Sequence, residues 1–239
     1  MISVCIATYN GEKYITEQLQ SILMQLAPQD EVIVSDDGST DGTLDCIATI
    51  ADARVHIIRH AHIGGTQSFY RALDKAQGEI IFLADQDDVW LPGKVRRCME
   101  KLKDYDLVVS DAQVTDASLK PMGATLFQLV GSREGLWKNW IVCTFYGSTM
   151  AFKRTILDAA KPFPQAKYIA HDWWIGIVAQ MTGRVCFMPE PLILYRRHET
   201  TVTQLHKGGL LTRSPRPLYV KIAARLQMAY HIIRYLITH

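Results

Sequence analysis

The stretch Gly78-Glu79-Ile80-Ile81-Phe82-Leu83-Ala84-Asp85-Gln86-Asp87-Asp88 decides how this chain is read. Its apolar run, Ile80 to Ala84, is what a strand buried on both faces looks like in sequence. The run ends in clustered carboxylates, which repel one another and resist desolvation unless a cation or a reaction uses them. A strand over Glu79–Ala84 with a divalent metal at its carboxyl end is therefore expected. Mg²⁺ or Mn²⁺ suits a small set of hard oxygen ligands, with a diphosphate and water completing the shell.

Working outward, similar units precede it. Ile2–Ala7 reads as a strand, and Lys13–Gln25 as a helix with Ile15, Leu19, Ile22 and Leu23 on one face. Glu31–Ser35 and Val55–Arg59 follow as strands, with helices over Asp41–Ala51 and Thr66–Ala76. Pro92–Lys103 reads as a further helix with proline near its start, and Leu107–Ser110 as a short strand. This alternation predicts an α/β fold with a mostly parallel central sheet flanked by helices.

In such sheets ligands bind beyond the carboxyl ends of the strands, and the unusual residues collect there. The four loops are Thr8-Tyr9-Asn10-Gly11, Asp36-Asp37-Gly38-Ser39, His62-Ile63-Gly64-Gly65 and Asp85-Gln86-Asp87-Asp88. All are expected on one rim. Tyr9 offers a ring for a nucleobase, or is part of a polar turn. Asp36-Asp37 is helix-capping chemistry, with a base N–H as a second use. Gly64-Gly65 allows close backbone approach to phosphate, or is a flexible turn.

Composition is that of an ordinary folded chain: 239 residues, 48% hydrophobic and 21% charged, with net charge +2. The charge is segregated. No acidic residue follows Glu199, so residues 1–199 hold 20 basic against 24 acidic side chains and the remainder carries six basic ones. Cys5, Cys46, Cys98, Cys143 and Cys186 fall in no redox or metal-ligand spacing and read as reduced thiols. With strand-like residues at the very start and no apolar run of ~20 residues, neither a secretory signal nor a membrane span is expected. A cytoplasmic location and no nucleic-acid partner follow as expectations.

Beyond Asp111 the pattern loosens, with strands expected over Gly147–Phe152 and Val185–Met188 and a helix over Asp172–Met181. His206–Pro217 reads as a linker and Leu218–His239 as a terminal helix. Its apolar residues Leu218, Ile222, Leu226, Ala229, Ile233 and Leu236 recur at helical spacing among basic ones. That face would lie on the inner leaflet of the cytoplasmic membrane, on the chain's own domain, or on a second copy in a homodimer.

Three motifs are recognisable. Val4 to Asn10, Val34 to Thr43 and Gly78 to Trp90 closely resemble the signatures of glycosyltransferase family 2, which has the GT-A fold. The Asp-Gln-Asp-Asp-Val-Trp form resembles the bacterial rhamnosyltransferase-like branch, which builds cell-surface polysaccharides. Gly147 to Phe152, His171-Asp172-Trp173-Trp174 and Pro191 to His198 look like that branch too. The resemblance implies a catalytic domain over residues 1–205, with a nucleotide-sugar half (1–111) and an acceptor half (112–205), followed by a basic linker and helix (206–239). It implies that Tyr9 and Asp37 hold the nucleobase and that Ala7, Thr8, Gly64 and Gln86 line the donor site. Asp85 would sit near the ribose or the metal's water, Asp87 on Mn²⁺ or Mg²⁺, and His198 at a further metal contact. Arg196 and Arg197 would neutralise the diphosphate, unless one of them is simply solvated. Asp172 matches the general base of an inverting transfer, with Gly147, Trp173 and Trp174 toward the acceptor, a glycan or lipid-linked glycan. No Gln-x-x-Arg-Trp motif follows Asp172, so one sugar per encounter is implied rather than processive synthesis.

Rival classes fit less well. A dinucleotide oxidoreductase would need Gly-x-Gly-x-x-Gly after the first strand, where Thr8-Tyr9-Asn10-Gly11 stands. A nucleotidyltransferase would need a basic Gly-rich loop there. A non-catalytic sugar-nucleotide-binding protein would not need Asp172 or the acidic cluster.

Overall fold

Alternation along the strands places the core on both sides of one sheet. Val4, Ile6, Val32, Val34 and Phe82 point to one face, and Cys5, Ile33, Ile81 and Leu83 to the other. The computed structural model describes residues 1–198, 203–205, 211–213 and 217–238. The first half contains β1 (Ile2–Thr8), α1 (Ile15–Leu23), β2 (Glu31–Asp36), α2 (Thr43–Ile50), β3 (Val55–Arg59), α3 (Gly65–Lys75) and β4 (Ile80–Asp85). The second continues with β5 (Val89–Trp90), α4 (Lys94–Lys101), β6 (Leu107–Thr115), β7 (Pro121–Thr125), α5 (Leu126–Val130), α6 (Leu136–Ile141), β8 (Met150–Lys153), α7 (Arg154–Ala159), α8 (His171–Thr182) and β9 (Val185–Arg196).

Among the described residues the main sheet has nine strands in the order β3-β2-β1-β4-β8-β6-β9-β5, with β7 on β6. The expected parallel arrangement holds through β3, β2, β1 and β4. Beyond β4 the sheet becomes mixed: β8 runs antiparallel to both β4 and β6, while β6 and β9 are parallel. The helices α1, α2 and α4 cover one face, while α3 and α8 cover the other. In α8 nearly every residue of the first eight is buried, so it is a core helix with no polar face there.

Of the segment read as a linker, Leu211–Arg213 is β11, paired antiparallel with β10 (Thr203–Leu205). Residues 206–210 and 214–216 lie outside the described residues. The terminal helix is α9 (Leu218–Thr238), and His239 lies outside. All five cysteines are free thiols, in line with their spacing.

Candidate active site

Register brings the strand ends together. Thr8 pairs with Asp36 across β1 and β2, and Ala7 with Asp85 across β1 and β4. The four loops therefore share one rim. Gln86 fastens two of them: its Oε1 accepts from the Thr8 hydroxyl at 2.5 Å and the Tyr9 N–H at 2.9 Å, and its Nε2 donates to the Tyr9 carbonyl at 3.2 Å. Gly11 permits this approach, since a Cβ there would collide with Gln86 Oε1.

On the other side of Tyr9, Asp37 organises the loop after β3. Its carboxylate accepts the N–H groups of Ile63 at 2.7 Å and Gly64 at 2.9 Å, and His62 Nδ1 lies 3.0 Å from it. Gly64 adopts φ +91°, which glycine supplies without strain. The half-exposed Tyr9 ring packs on the His62 ring at 4.5 Å, forming an aromatic edge open to solvent. Asp37 itself is buried, so its first task is to shape this loop.

The acidic cluster splits by burial. Asp87 is half-buried, and its Oδ2 lies 2.7 Å from His198 Nε2. The His198 ring rests on Tyr14 at 4.7 Å. Asp88 points inward, accepting the Arg196 N–H at 3.1 Å. Burial, then the neighbouring Asp87 and Asp85, hold its carboxyl well above the usual range. Asp85 is pushed up to about 7, first by burial and then by the charges of Asp87 and Asp172. The buried Ser148 faces both Asp85 and Asp88 and offsets part of that repulsion.

Asp172 thus comes within electrostatic reach of a carboxylate 87 positions away in sequence. It occupies the first turn of α8, where its Oδ1 accepts the Trp173 N–H at 2.7 Å. Gly147 lies directly against this turn, for a Cβ there would meet His171 Nε2 at 2.8 Å. The His171 ring stacks on Phe69 at 3.9 Å, which makes it a packing side chain first.

The sequence model described as Glycosyl transferase family 2 matches residues 3–160. The chain belongs to that family. Among its relatives is the dTDP-rhamnosyl transferase RfbG of Shigella flexneri, 27% identical over 211 residues that cover 81% of this chain and 71% of the relative. The fold matches TarS of S. aureus, solved with UDP-GlcNAc, at TM-score 0.68 and 21% identity, over 84% of this chain and 59% of that one. It also matches the mannosyltransferase PcManGT of Pyrobaculum calidifontis, solved with GDP-Man and Mn²⁺, at TM-score 0.59 and 22% identity, over 99% of this chain and 63% of that one. The fold is thus the GT-A type expected from the motifs. Two further curated relatives are spanned over only 65% and 51% of their own length.

The family's divalent cation has suitable partners here. Asp87 and His198 offer one carboxylate and one imidazole side by side, with Asp85 behind them. No group of three or more such ligands that could hold a metal ion occurs among the described residues.

One expectation for the family site is corrected. Trp173 and Trp174 present no ring to an acceptor: both are buried, with their Nε1–H groups donating to Asn139 O and Ala160 O, each at 2.8 Å. The start of a core helix takes them inside.

Sequence reasoning also misses Lys94, which is fully buried, with Nζ 3.5 Å from Ser148 O and 5.1 Å from the Trp90 ring centre. Burial pulls its ammonium down, while Asp88 opposes that shift. A lysine in the first turn of a helix runs against the helix dipole, and that is the available signal. Arg196, expected at a diphosphate, instead stacks on Tyr14 at 4.7 Å and donates to the Asp87 carbonyl at 2.8 Å.

The position of Asp85 carries a pH prediction. Its folded value of about 7 lies above the ~3.9 of an unfolded aspartate, so the linked stability is complete below pH ~3.9 and is lost as pH rises toward 7. Metal-free Asp85→Asn should therefore melt above the wild type at pH 8, by at most a few kcal/mol, since each tenfold change in proton affinity is worth ~1.4 kcal/mol. The gap should close near pH 4. Coincident melting curves at pH 8 would mean that this carboxylate is not under strain.

Proposed function

We propose that the chain moves one sugar, with inversion, from a nucleotide-diphosphate donor to a hydroxyl of a glycan or lipid-linked glycan in cell-surface polysaccharide synthesis. The observation that carries this reading is the approach of Asp172, from the acceptor half (112–205), to Asp85 at a strand end of the donor half (1–111), where Asp87 also acts on Asp85. Family membership and relatives that use UDP- or dTDP-sugars support it.

Each residue then has a task. The Tyr9 and His62 edge stacks the base, and Asp37 holds the loop whose Gly64 backbone approaches the donor. Ala7, Thr8, Gln86 and Asp85 line the ribose side. Asp87, with His198 beside it, would hold Mn²⁺ or Mg²⁺, which when bound supplies charge stabilisation to the departing diphosphate. Asp172 takes the proton from the acceptor oxygen as that oxygen bonds to the anomeric carbon, and the bond to the diphosphate oxygen breaks on the opposite face. Gly147 lets the turn that carries His171 and Asp172 pack closely against it.

We place the enzyme in the cytoplasm, meeting a lipid-linked acceptor at the inner face of the cytoplasmic membrane through residues 218–239. The deciding experiment is a panel of UDP-, dTDP- and GDP-sugars, with and without Mn²⁺ or Mg²⁺, read by calorimetry and by donor hydrolysis. Metal-dependent binding and slow hydrolysis of a UDP- or dTDP-sugar are expected. Metal-dependent binding without turnover, even with acceptor, would leave a non-catalytic binder, and no binding at all would overturn the reading.

A further inference from the structure

The helix α9 is apolar on two opposite faces, and only one of them is covered. Ala224 and Met228 are buried, Ile232 and Tyr235 pack beside them, and the Trp174 ring meets His231 and Tyr235 at 6.0 and 6.3 Å. This face docks α9 on α8. Leu218, Ile222, Leu226, Tyr230, Ile233 and Ile237 follow one another every three or four residues on the far side, with exposures between 52% for Ile222 and 79% for Ile237. At 100° per residue, Leu226 and Ile233 point almost directly away from Ala224. The exposed stripe runs the length of a 21-residue helix, about 30 Å. A continuous apolar face of that size marks a contact surface.

Charge identifies the occupant. Lys221 and Arg234 are both exposed, Arg234 along one border of the stripe, and no acidic residue occurs after Glu199. A second copy of this helix laid on the stripe would add cations and no carboxylate. An anionic lipid surface matches both the apolar stripe and these cations.

The neighbouring α6 extends the surface. The Ile141 carbonyl accepts Arg225 Nε at 3.0 Å, and α6 leaves Trp137 74% exposed, an amphipathic ring suited to a headgroup layer. No described helix is long and apolar enough to cross a membrane, so the contact lies in the interface plane.

We propose that the outward face of α9, with Trp137, is the surface by which this protein docks on anionic lipid. The proposal rests on the membrane part of the proposed function and not on the transfer chemistry, because vesicle binding is read without turnover.

Flotation of the full chain with phosphatidylethanolamine/phosphatidylglycerol vesicles is expected to recover it, and phosphatidylcholine vesicles to recover little. Leu226→Asp/Ile233→Asp should weaken binding tenfold or more, with unchanged melting and UDP affinity because both side chains face outward. Lys221→Glu/Arg234→Glu should remove the preference for anionic lipid. Equal flotation of the Leu226/Ile233 variant and the wild type would overturn the proposal, as would failure of the wild type to bind. A concentration-dependent dimer in sedimentation equilibrium, dissolved by the same two aspartates, would overturn it too and assign the face to a second copy.

Discussion

Asp172→Asn lowers kcat by ~10²–10⁴ while leaving metal-dependent donor affinity within a few fold, because a positioned base acts in the chemical step and not on the nucleotide. Asparagine keeps the size of the side chain and can still accept the Trp173 N–H that Asp172 Oδ1 accepts at 2.7 Å, so the first turn of α8 should survive. The variant tests chemistry and not folding. Steady-state transfer with the cognate donor, alongside calorimetry of UDP, separates the two. Near-native kcat would mean that another group takes the proton. His171, whose ring stacks on Phe69, would be the next to test.

Asp87→Ala is expected to do the opposite, abolishing the effect of Mn²⁺ on donor binding and costing ~10³-fold or more in kcat/KM, in line with the several kcal/mol that Lewis-acid stabilisation supplies. His198→Ala should be milder, about 10–100-fold, as is usual for a group that orients or supplements a metal-binding carboxylate. Their 2.7 Å contact makes the two changes non-additive, so the double variant should cost little more than Asp87→Ala alone. Independent, additive losses would separate His198 from the carboxylate it touches. Undiminished response of Asp87→Ala to Mn²⁺ would move the cation elsewhere.

The first half of the chain is readable because its information is local. Each apolar run is followed at once by its polar loop, and parallel pairing then aligns the loops, as Thr8 with Asp36 and Ala7 with Asp85 show. The second half depends on contacts between distant segments. An end to β9 at Met188 is expected because Pro189-Glu190-Pro191 interrupts the apolar pattern, and proline is rare within a central strand. The structure carries β9 on to Arg196 by shifting its register against β6 between Ser110 and Asp111, where Pro191 pairs with Asp111. The expectation for Trp173 and Trp174 fails for a related reason. Whether an aromatic at a helix start faces a cleft or the core depends on what packs over it, here Asn139 and Ala160, and periodicity does not report that. Spacing identifies the stripe on α9 as a helix face, yet the face that docks on α8 is the other one.

Arg196 has a consequence for how relatives of this chain can exchange parts. From the end of β9 it ties the Asp87 carbonyl to Glu17 on α1 and to the Ala117 carbonyl before β7, while its own N–H holds Asp88. The loop that carries Asp87 is therefore clamped by residues encoded more than a hundred positions downstream. A chimera cut at residue 111, pairing residues 1–111 with a foreign second half, inherits the loop without its clamp unless the incoming segment brings an arginine and a histidine at the matching places. A cut that keeps the end of β9 with the strand preceding the acidic loop keeps this clamp whole.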